Sequence, residues 1–191
     1  MIQWLHAQPM LIVMRHGEGT HNIEDVYDKN AQLTEKGRQQ VTESALKLLE
    51  AGFNRENIVK IFVSPMPRTR ETAALLVAAG LIDSGKIICE PRIEEPHAGI
   101  LEGKKIIRCE GKNHWDLPDA EMYGGETISQ VRERIKNFYL ELSNTPSDGH
   151  VLVVSHGTPI RELFSLHLNE KIALNVAEAK VVPLSFKCSE K

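Results

Sequence analysis

Three short segments of the chain combine arginine, histidine, glycine and hydroxyl residues, which are types that bind and transfer phosphate. They are residues 15–18, 64–68 and 155–158. Two guanidinium groups can hold a phosphate dianion through bidentate hydrogen bonds, and an imidazole can donate to the phosphate or attack its phosphorus atom. Gly17 and Gly157 would let the backbone approach an anion closely. The three segments together predict a site for phosphate chemistry.

Each of these segments follows a short apolar run that is typical of a strand buried on both faces of a parallel sheet. The runs are residues 11–14, 58–63 and 151–154. Open α/β sheets bind their ligands at the carboxyl ends of the strands, so parallel strands would bring the three segments to one edge. We therefore expect Arg15, His16, Arg68 and His156 to lie close together.

Helical patterns separate the apolar runs, and alternating strands and helices predict an α/β fold. One helix should follow Thr34 as its N-cap, and others should cover residues 68–79, residues 127–142 and a stretch that starts near Thr158-Pro159. Residues 177–187 predict a last strand at an antiparallel edge, because Pro183 is awkward inside a sheet. The expected architecture is three-layer α/β/α around a mainly parallel central sheet.

Length and composition favour a globular chain with a real core, and we expect one domain over residues 1–191. Residues 94–125 show no clear period and are rich in glycine, proline, histidine and charge. A long irregular segment inside a compact domain is more often functional than filler. This segment is therefore interpreted as a lid or insert.

The bulk properties narrow the choice of partner and compartment. A formal net charge of −3 provides no basic field, so neither nucleic acid nor a membrane surface is expected as a partner. Cys89, Cys109 and Cys188 are widely spread and lack a Cys-x-x-Cys spacing, which favours a reducing compartment, by default the cytoplasm. The N-terminal stretch does not resemble a signal peptide, and no segment is long enough to span a bilayer. The oligomeric state is left open.

The order of these motifs resembles the histidine phosphatase superfamily, which includes cofactor-dependent phosphoglycerate mutases and many small phosphomonoesterases. Residues 15–18, with Asn22 at the family spacing, match the signature of its phosphate pocket. In the second segment, the family's clamp arginine stands four residues before Thr72, which selects Arg68 rather than Arg70. The further matching segments are residues 95–99 with Glu102-Gly103, residues 124–127 and residues 153–157.

The resemblance implies a covalent mechanism in two steps. Neutral His16 would attack phosphorus in line and form a phosphohistidine, while Glu95 protonates the leaving alkoxide; water would then attack, with Glu95 as base. Arg15, Arg68 and His156 would neutralise the equatorial oxygens, which is the main requirement of phosphoryl transfer. Flanking guanidinium charges favour a neutral imidazole. Neither a metal nor another cofactor is implied, and the secondary phosphate contacts would be Asn22, Gly157 and Thr158.

Two positions depart from the family pattern or leave a choice. After Glu18 the family usually has serine or threonine, whereas this chain has Gly19 followed by Thr20. A hydroxyl near the substrate is therefore either missing or supplied by Thr20. The catalytic carboxylate is selected as Glu95 over the adjacent Glu94 only by its spacing within the motif.

Two further histidines, His21 and His97, fit the pocket and the protein surface equally well. A metal site built from His16, His97 and His156 is the alternative chemistry. Paired arginines would repel a cation, and no His-x-x-x-His spacing or carboxylate triad supports such a site.

Hydrolysis of a small phosphomonoester is favoured over mutase activity. A family mutase holds a second anionic group with extra basic residues beyond the catalytic glutamate. This chain has Lys104, Lys105, Arg108 and Lys112 there, without an adjacent arginine pair, and it lacks the longer middle and C-terminal segments of typical mutases. Residues 104–112 are either a substrate-reading lid or a solvated basic loop. A non-catalytic protein that binds a phosphorylated ligand is the third alternative.

Overall fold

The structure is a computed structural model that describes residues 8–106, 108–109, 112–113, 120–144 and 148–185, with backbone only for residues 108–109, 112–113 and 120. In chain order its strands and α-helices are β1 (Met10–Arg15), α1 (Thr20–Glu24), α2 (Glu35–Glu50), β2 (Ile58–Val63), α3 (Pro67–Ala78), β3 (Ile87–Cys89), β4 (Arg108–Cys109), β5 (Lys112–Asn113), α4 (Ile128–Ser143), β6 (His150–Ser155), α5 (Gly157–Leu168) and β7 (Ala179–Pro183).

Within these ranges, the main sheet has five strands in the order β3-β2-β6-β1-β7. β6 pairs in parallel with both β1 and β2, and β3 extends the parallel part, whereas β7 pairs antiparallel with β1 at the edge. The prediction of a mainly parallel sheet with an antiparallel edge strand is confirmed. Pro183 ends β7, and residues 186–187 of the predicted strand lie outside the described residues.

The two faces of the sheet are covered by different helices, as the alternating side chains of a strand require. On one face, Ile12 and Met14 of β1 pack in a core with residues of α2 and α3, including Val41 and Leu76. On the other face, Leu11 and Val13 pack in a second core with side chains of α4 and α5. The predicted three-layer α/β/α architecture is confirmed.

The predicted helices agree with the structure to within about a residue at their starts. For two of them, a capping side chain is the local signal that marks the start. Thr34 accepts a hydrogen bond from the Gly37 amide at 2.9 Å and caps α2. Thr127 caps α4 and forms a capping box with Gln130. The sequence patterns did not predict α1 or β3, which are too short to show a period.

Part of the irregular segment 94–125 is tied to the loop that follows α1. The Gly103 amide donates to the Tyr27 carbonyl at 2.6 Å, and the Ile106 amide donates to the Asp25 carbonyl at 2.9 Å. Tyr27 also packs in a small core with Ala98 and Leu101. These contacts place residues 98–106 beside the carboxyl edge of the sheet. Residues 107, 110–111 and 114–119 of the predicted lid lie outside the described residues, as do the side chains of Arg108 and Lys112.

In the described ranges, no helix is both long enough and apolar enough to cross a membrane.

Candidate active site

The predicted strand ends do meet at one edge of the sheet. Arg15 ends β1 and pairs in register with Ser155, the last residue of β6, so the histidines that follow the two strands lie side by side. The His16 amide donates to the Ser155 carbonyl at 3.1 Å, which continues the sheet pairing one residue further. Arg68 reaches the same place from the first turn of α3. Backbone pairing therefore positions the reactive side chains.

Two glycines let the loop after His16 lie directly on the first turn of α2. A Cβ atom on Gly17 would stand 2.5 Å from the Gly37 carbonyl oxygen. A Cβ atom on Gly37 would overlap the carbonyl oxygen of Glu18 and stand 2.8 Å from its nitrogen. Beside this contact, the Glu18 carboxylate accepts hydrogen bonds from the Thr34 hydroxyl and the Lys36 ammonium, both at 3.0 Å. Glu18 therefore fastens the loop to α2.

The imidazole of His16 is buried and held in one tautomer. Its Nδ1 lies 2.7 Å from the Gly17 carbonyl oxygen. Because a carbonyl can only accept, Nδ1 carries the proton and Nε2 keeps its lone pair. The Arg68 Nε–H donates to this Nε2 at 3.3 Å. Burial, together with the charges of Arg68 and Arg15, holds the pKa of His16 well below its ordinary value. His16 is therefore a neutral imidazole at physiological pH.

The two guanidinium groups of the site are bonded to neutral carbonyl oxygens. Arg15 Nη1 donates to the Leu174 carbonyl at 3.0 Å, and Arg68 Nη1 donates to the Asp28 carbonyl at 3.1 Å. Neither forms an ion pair with a carboxylate of the described residues. Carbonyl oxygens satisfy donors without cancelling a full charge, so both groups can still attract an anion.

His156 lies behind His16 and is completely buried, with the two ring centroids 5.1 Å apart. Its Nε2 lies 2.8 Å from the Ser64 hydroxyl, and its buried Nδ1 has no partner in the described part of the chain. Burial and the charge of Arg68 hold the pKa of His156 well below its ordinary value. If the Ser64 hydroxyl donates to Nε2, Nδ1–H remains available for a ligand oxygen. The sequence argument gave Ser64 no role.

The two adjacent glutamates are separated by the fold. Glu95 lines the cavity at this edge of the sheet, and its carboxylate accepts from the Thr158 amide at 3.4 Å. The Glu94 carboxylate instead lies 3.6 Å from Nε2 of the exposed His97. Of Glu94, Glu95 and His97, only Glu95 lines the cavity.

The cavity beside His16 has a volume of about 220 Å³. Of the predicted site residues, it is lined by Arg15, His16, Asn22, Arg68 and Glu95. His156, Gly157 and Thr158 are not in its wall; His156 lies behind His16, Gly157 lies beside the Arg15 guanidinium, and Thr158 is buried. Their predicted phosphate contacts stay predictions. The wall also contains side chains to which the sequence argument assigned no role, notably Asp25, Tyr27, Asp28, Lys29, Glu102 and Ile106.

The two histidines that the sequence left undecided have different positions. His21 lines the cavity, whereas the side chain of His97 is 56% exposed and is not part of the wall. His97 was one of the three residues in the alternative metal site. In the part of the chain that the structure describes, no group of three or more histidine, cysteine, aspartate or glutamate side chains is arranged to hold a metal ion.

Fold and site together define an α/β enzyme with an anion pocket at the carboxyl edge of its sheet. The model of the Histidine phosphatase superfamily (branch 1) matches residues 11–187. The chain therefore belongs to this superfamily, as its motifs indicated.

Relatives within the superfamily include both phosphatases and mutases. Phosphoserine phosphatase 1 of Hydrogenobacter thermophilus is 30% identical over 163 residues, which cover 81% of this chain and 74% of that protein. The protein named Probable phosphoglycerate mutase GpmB of Escherichia fergusonii is 30% identical over 162 residues, covering 80% and 72%. A solved mycobacterial glucosyl-3-phosphoglycerate phosphatase shares the fold, with a TM-score of 0.68 and 22% identity over 91% of this chain and 90% of that one.

The contact between Gly37 and the loop after His16 can be tested by Gly37→Ala. The added methyl group would overlap the Glu18 backbone and push α2 away from that loop. We expect the variant to lose about 1–3 kcal/mol of unfolding free energy and also to lose activity. Urea unfolding and a phosphomonoesterase assay measure both effects. Gly85→Ala is the matched control, because its methyl group would meet only the Asp83 side chain at 3.4 Å. Equal behaviour of the two variants would contradict the contact.

The buried neutral histidines predict a loss of stability in acid. Their pKa is lowered in the folded protein, so below about pH 6.5 the unfolded chain binds protons that the folded chain does not. The free energy of unfolding should then fall by roughly 1.4 kcal/mol per pH unit for each such histidine. For His21, whose pKa is lowered to about 3, the loss continues to that pH.

Urea unfolding of the wild type and of His21→Phe between pH 7.5 and pH 5 measures this slope. The variant should show a smaller slope, and the difference should approach roughly 1.4 kcal/mol per pH unit toward pH 5, because one group no longer takes up a proton on unfolding. Equal slopes would contradict the assignment of a neutral His21.

Proposed function

We propose that the protein is a phosphomonoesterase that hydrolyses a small phosphorylated metabolite through a phosphohistidine on His16. The observation that carries this proposal is the state of His16: a buried neutral imidazole with its Nε2 lone pair beside two guanidinium groups that have no carboxylate partner among the described residues. A neutral nucleophile next to fixed positive charge is what attack on a phosphate dianion requires.

In the first step, the substrate phosphate replaces His16 as the acceptor of the Arg68 Nε–H hydrogen bond. His16 Nε2 forms a bond to phosphorus while the bond from phosphorus to the ester oxygen breaks. The leaving alkoxide takes a proton from Glu95, whose carboxyl group is held in the cavity wall by the Thr158 amide. Arg15, Arg68 and the Nδ1–H of His156 stabilise the negative charge on the phosphoryl oxygens.

In the second step, Glu95 is a carboxylate and accepts a proton from water as the water oxygen attacks phosphorus. The bond to His16 Nε2 breaks, and inorganic phosphate leaves. The Gly17 carbonyl keeps the proton of His16 on Nδ1 and supports the developing positive charge when the ring is phosphorylated.

The charges of the cavity wall favour hydrolysis over mutase activity. The wall carries the carboxylates of Asp25, Asp28 and Glu102, and among the described residues its one ammonium group is that of Lys29. A mutase must hold a second anionic group of its substrate, which these carboxylates would repel. Lys105, which belongs to the basic stretch 104–112, does not line the cavity. Its ammonium group donates a hydrogen bond to the Glu24 carbonyl. We propose a substrate whose other end is neutral or cationic; the ammonium group of phosphoserine, named for one relative, fits this charge.

The proposed setting is the cytoplasm, with the whole chain as one domain and residues 94–125 as its lid. Cys89 is exposed and free, as is expected of a thiol in a reducing compartment. Residues 98–106 are the part of this lid for which the structure supports a role, because Glu102 and Ile106 lie in the cavity wall.

The covalent intermediate can be trapped on a short timescale with a ³²P-labelled phosphomonoester. We expect acid-labile, base-stable label on His16 and at least about a thousandfold loss of kcat/KM in His16→Ala. Label elsewhere, or turnover that survives the substitution, would overturn the mechanism.

A separate assay with phosphoglycerate distinguishes the two activities. The release of inorganic phosphate should exceed the transfer of phosphate between positions of the substrate, both with and without bisphosphoglycerate. The reverse result would establish the mutase.

The role of Glu95 predicts a dependence on the leaving group. Glu95→Gln should lower kcat/KM by about 10²–10⁴-fold for an alkyl phosphate, whose alkoxide needs a proton. The loss should be much smaller for p-nitrophenyl phosphate, since nitrophenolate leaves without one. Glu94→Gln is the matched control and should leave both substrates nearly unaffected. An equal loss on both substrates would show that Glu95 is not the proton donor.

A further inference from the structure

His21 occupies space that exists only because residue 19 is glycine. A Cβ atom at position 19 would stand 2.7 Å from Nδ1 and 2.8 Å from Cε1 of the His21 ring, closer than such atoms approach in proteins. The backbone at Gly19 is extended, with φ −105°, which any residue can adopt. The conflict with a side chain at this position is therefore steric, and it involves the imidazole of His21.

The ring of His21 lies in the cavity wall beside His16. Its centroid is 5.4 Å from that of His16, and the ring belongs to the same wall as Arg15 and Arg68. Nδ1 is buried and has no hydrogen-bond partner among the described residues. Burial and the charges of Arg68 and Arg15 lower the pKa of His21 to about 3, so the ring is neutral at physiological pH. Nδ1 faces Gly19, so a ligand in the cavity cannot reach it. Nε2 is not among the buried unpaired atoms and is therefore the nitrogen that the ring offers to a ligand.

Thr20, the other candidate for the hydroxyl missing at position 19, does not take this role. Its side chain is exposed and does not line the cavity. Among residues 19–21, the cavity is lined by His21 alone.

We propose that His21 is a substrate-contacting residue that hydrogen-bonds the bound phosphomonoester, and that Gly19 is its steric partner, which leaves room for the ring. This inference rests on the proposed function and adds a third imidazole to the phosphate pocket. A neutral ring provides one N–H donor and one acceptor without a third positive charge, which would be hard to bury beside Arg15 and Arg68. It takes the place of the hydroxyl that the related motif carries after Glu18.

Two substitutions of His21 separate hydrogen bonding from packing. His21→Ala removes the ring, whereas His21→Phe keeps a ring in the same space and removes both nitrogens. We expect each to lower kcat/KM for p-nitrophenyl phosphate by about tenfold or more and to weaken inhibition by inorganic phosphate, because a hydrogen bond to a charged ligand is lost. Thermal unfolding in the presence and absence of phosphate should show a smaller phosphate-induced stabilisation in both variants. Wild-type values in His21→Phe would show that the ring only packs, and would overturn the proposal.

A double-mutant cycle tests the steric partnership with Gly19. Gly19→Ser alone should lose activity because it displaces the ring, whereas the same change made in His21→Ala should cost nothing further or restore part of the activity. Additive losses would contradict the coupling.

The proposed function has its own independent test, the label on His16. Absence of that label in the wild type would remove the function itself. A labelled and active wild type with His21 variants that bind phosphate normally would remove only the role of His21.

Discussion

Two guanidinium charges lie beside the end of β1, one buried and one partly buried, without an ion pair to a carboxylate of the described residues, and the candidate site depends on this constraint. Arg15 and Arg68 each donate a hydrogen bond to a backbone carbonyl, at Leu174 and Asp28, which leaves their charge uncancelled. The Nε–H of Arg15 is buried and has no partner among the described residues. Such an arrangement is unfavourable in an empty pocket and favourable once a dianion enters. The packed layers on both faces of the sheet hold the two groups together against their repulsion, which supports the phosphate site proposed at this edge.

The same two charges determine the state of the imidazoles. His16, His21 and His156 are each buried near Arg68, and every one of them has a lowered pKa. The proposed mechanism needs a neutral histidine as nucleophile, yet holding it neutral costs stability in acid, because the unfolded chain is free to bind the protons. Function and stability are therefore opposed at this edge of the sheet. The stability of the fold comes from the two hydrophobic cores on either face of the sheet.

The cavity wall carries charges of both signs. Arg15 and Arg68 lie beside His16, and the carboxylates of Asp25, Asp28 and Glu102 line the same wall as Lys29. Burial lowers the pKa of Arg68, and the charges of Glu95, Asp28 and Glu102 raise it, so the carboxylates of the wall act on the guanidinium itself. Asp25, Asp28 and Glu102 belong to two loops, which the backbone bonds of Gly103 with Tyr27 and of Ile106 with Asp25 hold together.

The sequence by itself determined the fold class, the helix starts and the strand ends that carry Arg15, His16 and His156, because apolar periodicity and capping by Thr34 or Thr127 are short-range signals. It also supplied the order of motifs that identifies the superfamily. Only the tertiary structure decided which of two candidate residues lines the cavity. Glu95 lines it and the adjacent Glu94 does not, and His21 lines it whereas His97 does not. It also decided that Ser64 contacts His156 and that Asp25, Asp28 and Glu102 line the cavity. Those outcomes depend on contacts between residues tens of positions apart, such as the pairing of residues 25–27 with 103–106, and no local pattern encodes them.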